Sequence, residues 1–491
     1  MPEKRIRTRF APSPTGYLHI GGVRTALYAE FVAKQAGGDF LLRIEDTDQS
    51  RYVEGAVESL CSVMKQLGIE PVEGVWLDDT DKIIQKGDHG PYIQSERKHI
   101  HQEYAKKLIE MDKAYYCFCT AERLDEVRKM QELTKRPTGY DGHCRNLDAD
   151  EVKKRLEAGE QHVVRLKLPE EGTVTVNDVI RGDVSFDWKL IDDQVIIKSD
   201  GMATYHLASM ADDHDMEITH VIRGEEWLSS TPKHIFLYES MGWELPVFAH
   251  LPLILNPDKS KLSKRQGDVA AEDYLKKGYL PEALNNFLAL LGWNPTADRE
   301  IYTKQELIDL FDLSKVNKAG AVFQIDKLNW LNNHYLREMD EQSYFDLVLP
   351  HLNAFKEDED FKKRVASLYR ERMILPSEIT DQSLYLFSDQ LDYSNVSITW
   401  KDHTKEEAKS RLEAAIEWIE QIDDTKQYDA KFIEEYIKEM IQKNGWGNGD
   451  TLWPLRVSLS AQEKSPSPFE LIAVLGKKQS TARVNQALAT L

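Results

Sequence analysis

Two regimes of apolar and polar spacing run along the chain. Near its start "RIRTRFA" reads as a short strand, and "GGVRTALYAEFVAKQAGG" then sets Val23, Leu27 and Phe31 on one helical face. Gly37 and Gly38 close that helix, and "DFLLRI" returns as a buried strand. A β-α-β unit of this kind offers a ligand site beyond the carboxyl ends of its strands. From about 112 to 204 the texture changes to a cysteine cluster, a charged helix and the strand-like "HVVRLKLP" and "GTVTVNDVI", the mark of an insertion. Past about 340 strand-like patterns stop. There "TKEEAKSRLEAAIEWIEQI" opens with Thr404 and Glu407 spaced as a capping box and repeats Leu412, Ile416 and Ile419 at helical intervals. The pattern predicts an α/β front followed by an all-helical back, with no internal repeat.

Composition narrows the class. At 491 residues the chain is too long for one ordinary domain, and with 41% hydrophobic residues it can bury sizeable cores. No apolar run is long enough to cross a bilayer. The start "MPEKRIRT" is basic but has neither an apolar core nor a cleavage site behind it, so no signal peptide and a cytoplasmic location are expected. A net charge of -20 excludes a generally sticky nucleic-acid binder, yet a local basic patch remains compatible with a nucleic-acid partner. Of four cysteines, three lie between Cys117 and Cys144, too sparse for a disulfide framework and suited to a reducing compartment or a metal. Cys117, Cys119 and Cys144 supply three thiolates that one further donor could complete as a tetrahedral zinc site; the plain alternative is three reduced cysteines in an ordinary insertion. Cys61, on an apolar helical stretch, reads as a buried hydrophobe.

Two short stretches carry candidate chemistry. In "RTRFAPSPTGYLHIGG", Pro12 and Pro14 set an extended turn after the strand, while Gly21 and Gly22 let a ligand approach the backbone where the helix starts. A helix amino end suits phosphates, and His19 would donate to them. Taken alone, the stretch reads first as an ordinary strand-to-helix turn with a solvated histidine. In "NPDKSKLSKRQGD", Lys259, Lys261, Lys264 and Arg265 crowd a loop that reads either as a solvated charge run or as a cationic clamp for developing phosphate charge.

Together "SPTGYLHIGG" and "KLSKR" resemble the two signatures of class I aminoacyl-tRNA synthetases. "RFAPSPTG", "LLRIEDTD", "GPYIQSER", "KSDGMATYHLA", "HVIRGEEWLSSTPKH" and "LPEALNNFLALLGW" extend the resemblance, over essentially the whole chain, to bacterial-type glutamyl-tRNA synthetases. Gly22 and Arg265 depart from the general class signatures in a way that looks usual for this subfamily. The resemblance implies a Rossmann-like α/β catalytic domain in two halves, 1–111 and 205–260, around an α+β acceptor-end-binding insertion at 112–204. It also implies a lysine-loop and stem-contact region at 261–340 and helical anticodon-binding domains at 341–491.

The reaction so implied joins L-glutamate to glutamate tRNA through a glutamyl adenylate, using ATP with Mg²⁺. The resemblance gives catalytic roles to His19, Lys261 and Lys264, and ATP contacts to these residues together with Gly21, Gly22 and Glu226. It assigns the glutamate pocket to Arg9, Ser13, Glu45, Tyr205 and Arg223, with Glu45 for the ammonium and Arg223 for the side-chain carboxylate. From the bare sequence, without the family match, Arg223 reads first as a surface salt-bridge partner of Glu225 or Glu226. Some family members bind zinc through a C-x-C and Y-x-x-x-C pattern and others lack the cysteines; the pattern makes Tyr140 the implied fourth ligand, with His143 the more conventional substitute. Arg372 and Arg456 fall at matched anticodon-contacting positions, where an arginine can read or stack on a base. A monomer is expected. The competing readings are an enzyme that also charges glutamine tRNA with glutamate, and a non-charging tRNA-binding paralogue.

Overall fold

The computed structural model describes residues 4–262, 270–296 and 298–491. These fall into two compact units, 1–328 and 329–491. No described helix is long and apolar enough to cross a membrane.

The first unit is built on the expected β-α-β frame. Strand β1 (Arg7–Phe10) leads into helix α1 (Ile20–Gln35) and returns as β2 (Asp39–Leu42), which pairs with β1 in parallel from Arg7↔Asp39 to Phe10↔Leu42. Val23, Leu27 and Phe31 are fully buried as their spacing predicts, but α1 is buried on more than that one face, with Tyr28 and Phe31 both against Phe311. The chain continues through α2 (Ala56–Gln66), β3 (Glu73–Leu77), β4 (Ile83–Lys86) and α3 (Lys98–Glu110). Cys61 on α2 is fully buried, and burial pushes its thiol up to about 12.

The span 112–204 contributes to two sheets. Strands β5 (Ala114–Cys117), β6 (Val163–Leu166) and β9 (Val195–Ile197) form a separate three-stranded antiparallel sheet, with helices α4 (Ala121–Leu133) and α5 (Ala149–Glu157) between β5 and β6. Strands β7 (Thr173–Asp178) and β8 (Gly182–Asp187) instead make a hairpin that extends the central sheet. Helix α6 (Tyr205–Asp215), β10 (His220–Gly224), α7 (Thr231–Met241) and β11 (Val247–Leu251) complete the frame, in the order β4-β3-β2-β1-β10-β11-β7-β8. From β3 to β7 neighbours are parallel; β4 and β8 are antiparallel edges. The short parallel pair β12 (Ile254–Leu255) and β13 (Ala321–Val322) follows.

The second unit is helical among its described residues. Helix Lys405–Gln421 has the expected capping box, Thr404 and Glu407 satisfying each other's backbone N–H. Leu412 and Ile419 are fully buried and Ile416 half-buried, as their spacing predicts.

Candidate active site and cysteine cluster

Arg9 on β1, Glu45 just past β2, Arg223 on β10 and Tyr205 at the start of α6 reach one cleft of about 590 Å³ at the carboxyl ends of the parallel strands. Ser13 and Trp227 line it too. Arg9 donates through Nε and Nη2 to the two oxygens of Asp213, at 2.9 and 3.1 Å. Arg43 donates from Nη1 to the same Asp213 at 2.8 Å and from Nη2 to Glu45 at 2.9 Å. Burial raises the Glu45 carboxyl against the pull of Arg43, so a cationic group entering the cleft would relieve an existing cost.

Arg223 is held differently. Its Nε donates to His250 Nε2 at 3.0 Å, Nη1 to the Tyr205 hydroxyl at 2.8 Å and Nη2 to Thr231 Oγ1 at 2.9 Å, with His234 Nδ1 at 3.2 Å from Nη2. The salt bridge with Glu225 or Glu226 does not form: Glu225 pairs with Arg181, and the Glu226 carboxylate lies over Gly224. Arg223 is buried, which is not the surface position an ordinary ion pair would take.

A second cavity of about 300 Å³ adjoins the first, sharing Thr25 and Gly224, and is lined by His19, Gly21, Gly22, Glu226 and Lys261. His19 is the N-cap of α1, its Nδ1 accepting from the Gly21 N–H at 2.9 Å. That bond leaves the neutral imidazole proton on Nε2, the form that donates to an anion. The two glycines differ in what they permit. A Cβ on Gly21 would stand 3.2 Å from His19 Nδ1, whereas one on Gly22 would meet Leu18 at 3.0 Å and Phe10 at 3.4 Å. Gly21 thus leaves room for the histidine, and Gly22 for the packing beneath it. Lys264 and Arg265 lie outside the described residues.

Cys117 at the end of β5, Cys119 and Cys144 bring their sulfurs within 4.8 Å of one another. The Tyr140 hydroxyl joins them, 3.4 Å from Cys117 Sγ and 3.7 Å from Cys119 Sγ, and accepts the Cys144 N–H at 2.8 Å. His143 is exposed. Hydrogen bonds from Cys144 and Tyr140 hold the Cys117 thiol down at about 4, while burial raises the Tyr140 phenol. Arg123 donates to Cys119 at 3.5 Å and the Arg165 guanidinium lies 3.9 Å from the Tyr140 ring centre, offsetting thiolate charge. Three sulfurs and one oxygen in this arrangement fit tetrahedral zinc.

On the second unit, Arg372 donates to Glu470 at 2.7 Å. Arg456 donates to Ser465 and to the Glu463 carbonyl and lies over Trp453, 4.7 Å from its ring centre. Several residues of the first unit escape sequence reasoning: Arg43, Asp213, Trp227, Thr231, His234 and His250. The available signal was charge in apolar company, such as Arg43 in "FLLRIED" and His250 in "VFAHLPL", both fully buried.

Fold and cleft together define a class I tRNA synthetase. Residues 5–330 match the family model described as "tRNA synthetases class I (E and Q), catalytic domain", and residues 343–488 match "Anticodon binding domain". The chain is 47% identical over 488 residues to a glutamate–tRNA ligase of Clostridioides difficile and 45% identical over 489 residues to one of Alkaliphilus metalliredigens, with 98% of both partners covered in each comparison. A crystal structure of a glutamate tRNA ligase from Elizabethkingia meningosepticum, in complex with its amino acid, superposes with a TM-score of 0.88 at 38% identity, covering 99% of this chain and 100% of that one. The chain belongs to the glutamate–tRNA ligase family.

Proposed function

We propose that the protein ligates L-glutamate to the 3' end of glutamate tRNA, with ATP as the activating substrate. The α-carboxylate of glutamate attacks the α-phosphorus of ATP, forming glutamyl adenylate and expelling pyrophosphate. A ribose hydroxyl of the terminal nucleotide then attacks the carbonyl carbon, and AMP departs. Neither step needs a protein nucleophile, so positioning and charge stabilisation carry the catalysis.

The observation that carries this reading is the pair of adjoining cavities, one with arginines and an acid, the other with a histidine, glycines and a lysine. Glu45 receives the substrate ammonium, Arg9 the α-carboxylate, and Arg223 with Tyr205 the side-chain carboxylate, while Ser13 borders the cleft as a polar wall. His19 Nε2–H and Lys261 meet the phosphates, Lys264 is assigned to the same phosphates by its place in the family signature, and Glu226 takes the ribose. Mg²⁺ accompanies ATP and lowers its charge. Cys117, Cys119, Cys144 and Tyr140 would hold Zn²⁺, which would tie the loop after β5 to the segment around Cys144. Arg372 and Arg456 read the anticodon, which requires the Arg372–Glu470 pair to open. The enzyme works as a monomer in the cytoplasm.

The test is charging with radiolabelled glutamate on purified glutamate and glutamine tRNAs, scored separately. Charging of glutamate tRNA alone is expected. Charging of both assigns a non-discriminating enzyme, and charging of neither leaves a tRNA-binding paralogue.

A further inference from the structure

Arg223 sits in a shell of neutral acceptors. A guanidinium has five N–H donors, and His250, Tyr205, Thr231 and His234 take four of them. Among the described residues no carboxylate lies within ion-pair distance of it. Arg9, Arg43 and Arg97, equally buried in the same unit, each donate directly to an aspartate. A buried charge without a counter-ion is costly, and its place on the wall of a cleft marks a site that awaits an anion.

The shell is kept neutral by a directional chain of hydrogen bonds. Arginine can only donate, so His250 must offer the lone pair of Nε2 and carry its proton on Nδ1, which donates to Asp178 Oδ2 at 2.6 Å. His234 offers Nδ1 to Arg223 and carries its proton on Nε2, which faces His206 Nδ1 at 3.1 Å. Thr231 donates its hydroxyl proton to the Trp227 carbonyl at 3.1 Å and leaves its lone pairs for Arg223. The fold builds this chain through register: Arg223 stands opposite His250 across β10 and β11, and Phe248 of β11 opposite Asp178 of β7. Thr231 and His234 share one face of the first turn of α7.

We infer that Asp178, His250, Thr231 and His234 are the positioning residues that set amino-acid choice. His250, Thr231 and His234 hold the Arg223 guanidinium as uncharged acceptors and Asp178 acts only through His250, so the charge of Arg223 is left for the substrate side chain to neutralise. A carboxylate does so; an amide of the same shape does not. The inference rests on Arg223 meeting the side-chain carboxylate, and the experiment separates the two ideas.

The measurement is kcat/KM for glutamate and for glutamine, with one tRNA, in wild type, Thr231→Asp, Thr231→Asn and Arg223→Gln. Aspartate is a favoured residue in the first turn of a helix, so Thr231→Asp should fold. Its carboxylate would pair with Nη2, and the glutamate-to-glutamine ratio should fall by at least about tenfold, chiefly through a higher KM for glutamate. Thr231→Asn, neutral and of the same size, should keep the ratio within about threefold. Equal shifts in both Thr231 variants would assign the effect to packing and overturn the inference. An unchanged ratio in Thr231→Asp beside a collapsed one in Arg223→Gln would overturn it too, while leaving the role of Arg223 standing. An unchanged ratio in Arg223→Gln would remove that role and the inference with it. Should Thr231→Asp fail to fold, His234→Glu against His234→Gln makes the same charge comparison from the next acceptor.

Discussion

Asp213 holds Arg9 with both carboxylate oxygens, Nε at 2.9 Å and Nη2 at 3.1 Å, and its Oδ1 also takes Arg43 Nη1 at 2.8 Å. Arg43 in turn reaches Glu45. One fully buried aspartate on α6 therefore sets both the arginine proposed for the substrate carboxylate and the acid proposed for the substrate ammonium. Removing its charge leaves Arg43 with Glu45 and, at 4.0 Å from its Nε, Asp212, and leaves Arg9 without its bidentate partner. Asp213→Asn should cost about 3 to 5 kcal/mol of stability, the penalty for breaking a buried pair. Urea denaturation measures it; a loss below about 1 kcal/mol would mean the two arginines find other partners.

Glu45 allows a sign to be tested. Burial raises its carboxyl above the ordinary range, so the folded pKa exceeds the unfolded one. Such a group contributes stability that is fully present below the unfolded value of about 4.3 and is lost as pH rises through the folded value. Glu45→Gln keeps an acceptor for Arg43 and removes the ionisation. The variant should gain stability over wild type at pH 7, with the gap closing by pH 4, while its KM for glutamate rises. Urea midpoints at both pH values and glutamate titrations decide; a variant less stable at pH 7 than at pH 4, relative to wild type, contradicts the assignment.

The histidines behind Arg223 should make the first unit acid-sensitive. Burial, then Lys233 and Arg223, push His206 down to about 4, with Asp192 opposing; burial and Arg223 also lower His234. His250 is lowered by burial and by Arg223, against the pull of Asp178. These folded values lie below the unfolded value near 6.5, so the stability they contribute is present above it and is lost as pH falls towards 4. His206→Gln, which cannot take up the proton, should flatten part of the decline in urea midpoint between pH 6.5 and 4.5. A decline identical to wild type would place the acid sensitivity elsewhere.

The frame was legible because local pattern and tertiary role agree: α1 buries Val23, Leu27 and Phe31, and Thr404 with Glu407 starts its helix where the spacing indicates. The span 112–204 was legible as a change of texture but not as two structures. β7 joins the central sheet by pairing Asp178 with Phe248 of β11, a contact between distant segments that no local period announces. The site divides along the same line. His19, Gly21 and Gly22 stood out because turns and glycines leave a local mark, while Arg9, Ser13, Glu45, Tyr205 and Arg223 were indicated by the family resemblance alone. Asp213 and His250 were not, since their meaning depends on which strand or helix stands beside them.

The cysteine cluster yields the last prediction, and it turns on the choice between two donors that sequence alone left open. Tyr140 places its hydroxyl 3.4 and 3.7 Å from two of the sulfurs, whereas His143 is exposed on the loop. Purified without chelator, the protein should carry about one zinc per chain, the number a single four-donor site accepts. His143→Ala should leave that content unchanged, and Cys144→Ser should abolish it. Tyr140→Phe should weaken retention by about 10- to 100-fold, read as the chelator concentration that strips half the metal, because three thiolates remain to hold it. Stripping should loosen the segment from Cys117 to Cys144, seen as faster amide exchange there, with the β1–β2 core unaffected. Metal analysis that finds no zinc, together with three freely titrating thiols, would leave the cluster as a hydrogen-bonded group of reduced cysteines. Loss of metal in His143→Ala with full retention in Tyr140→Phe would move the fourth position to the histidine and require the loop to turn inward.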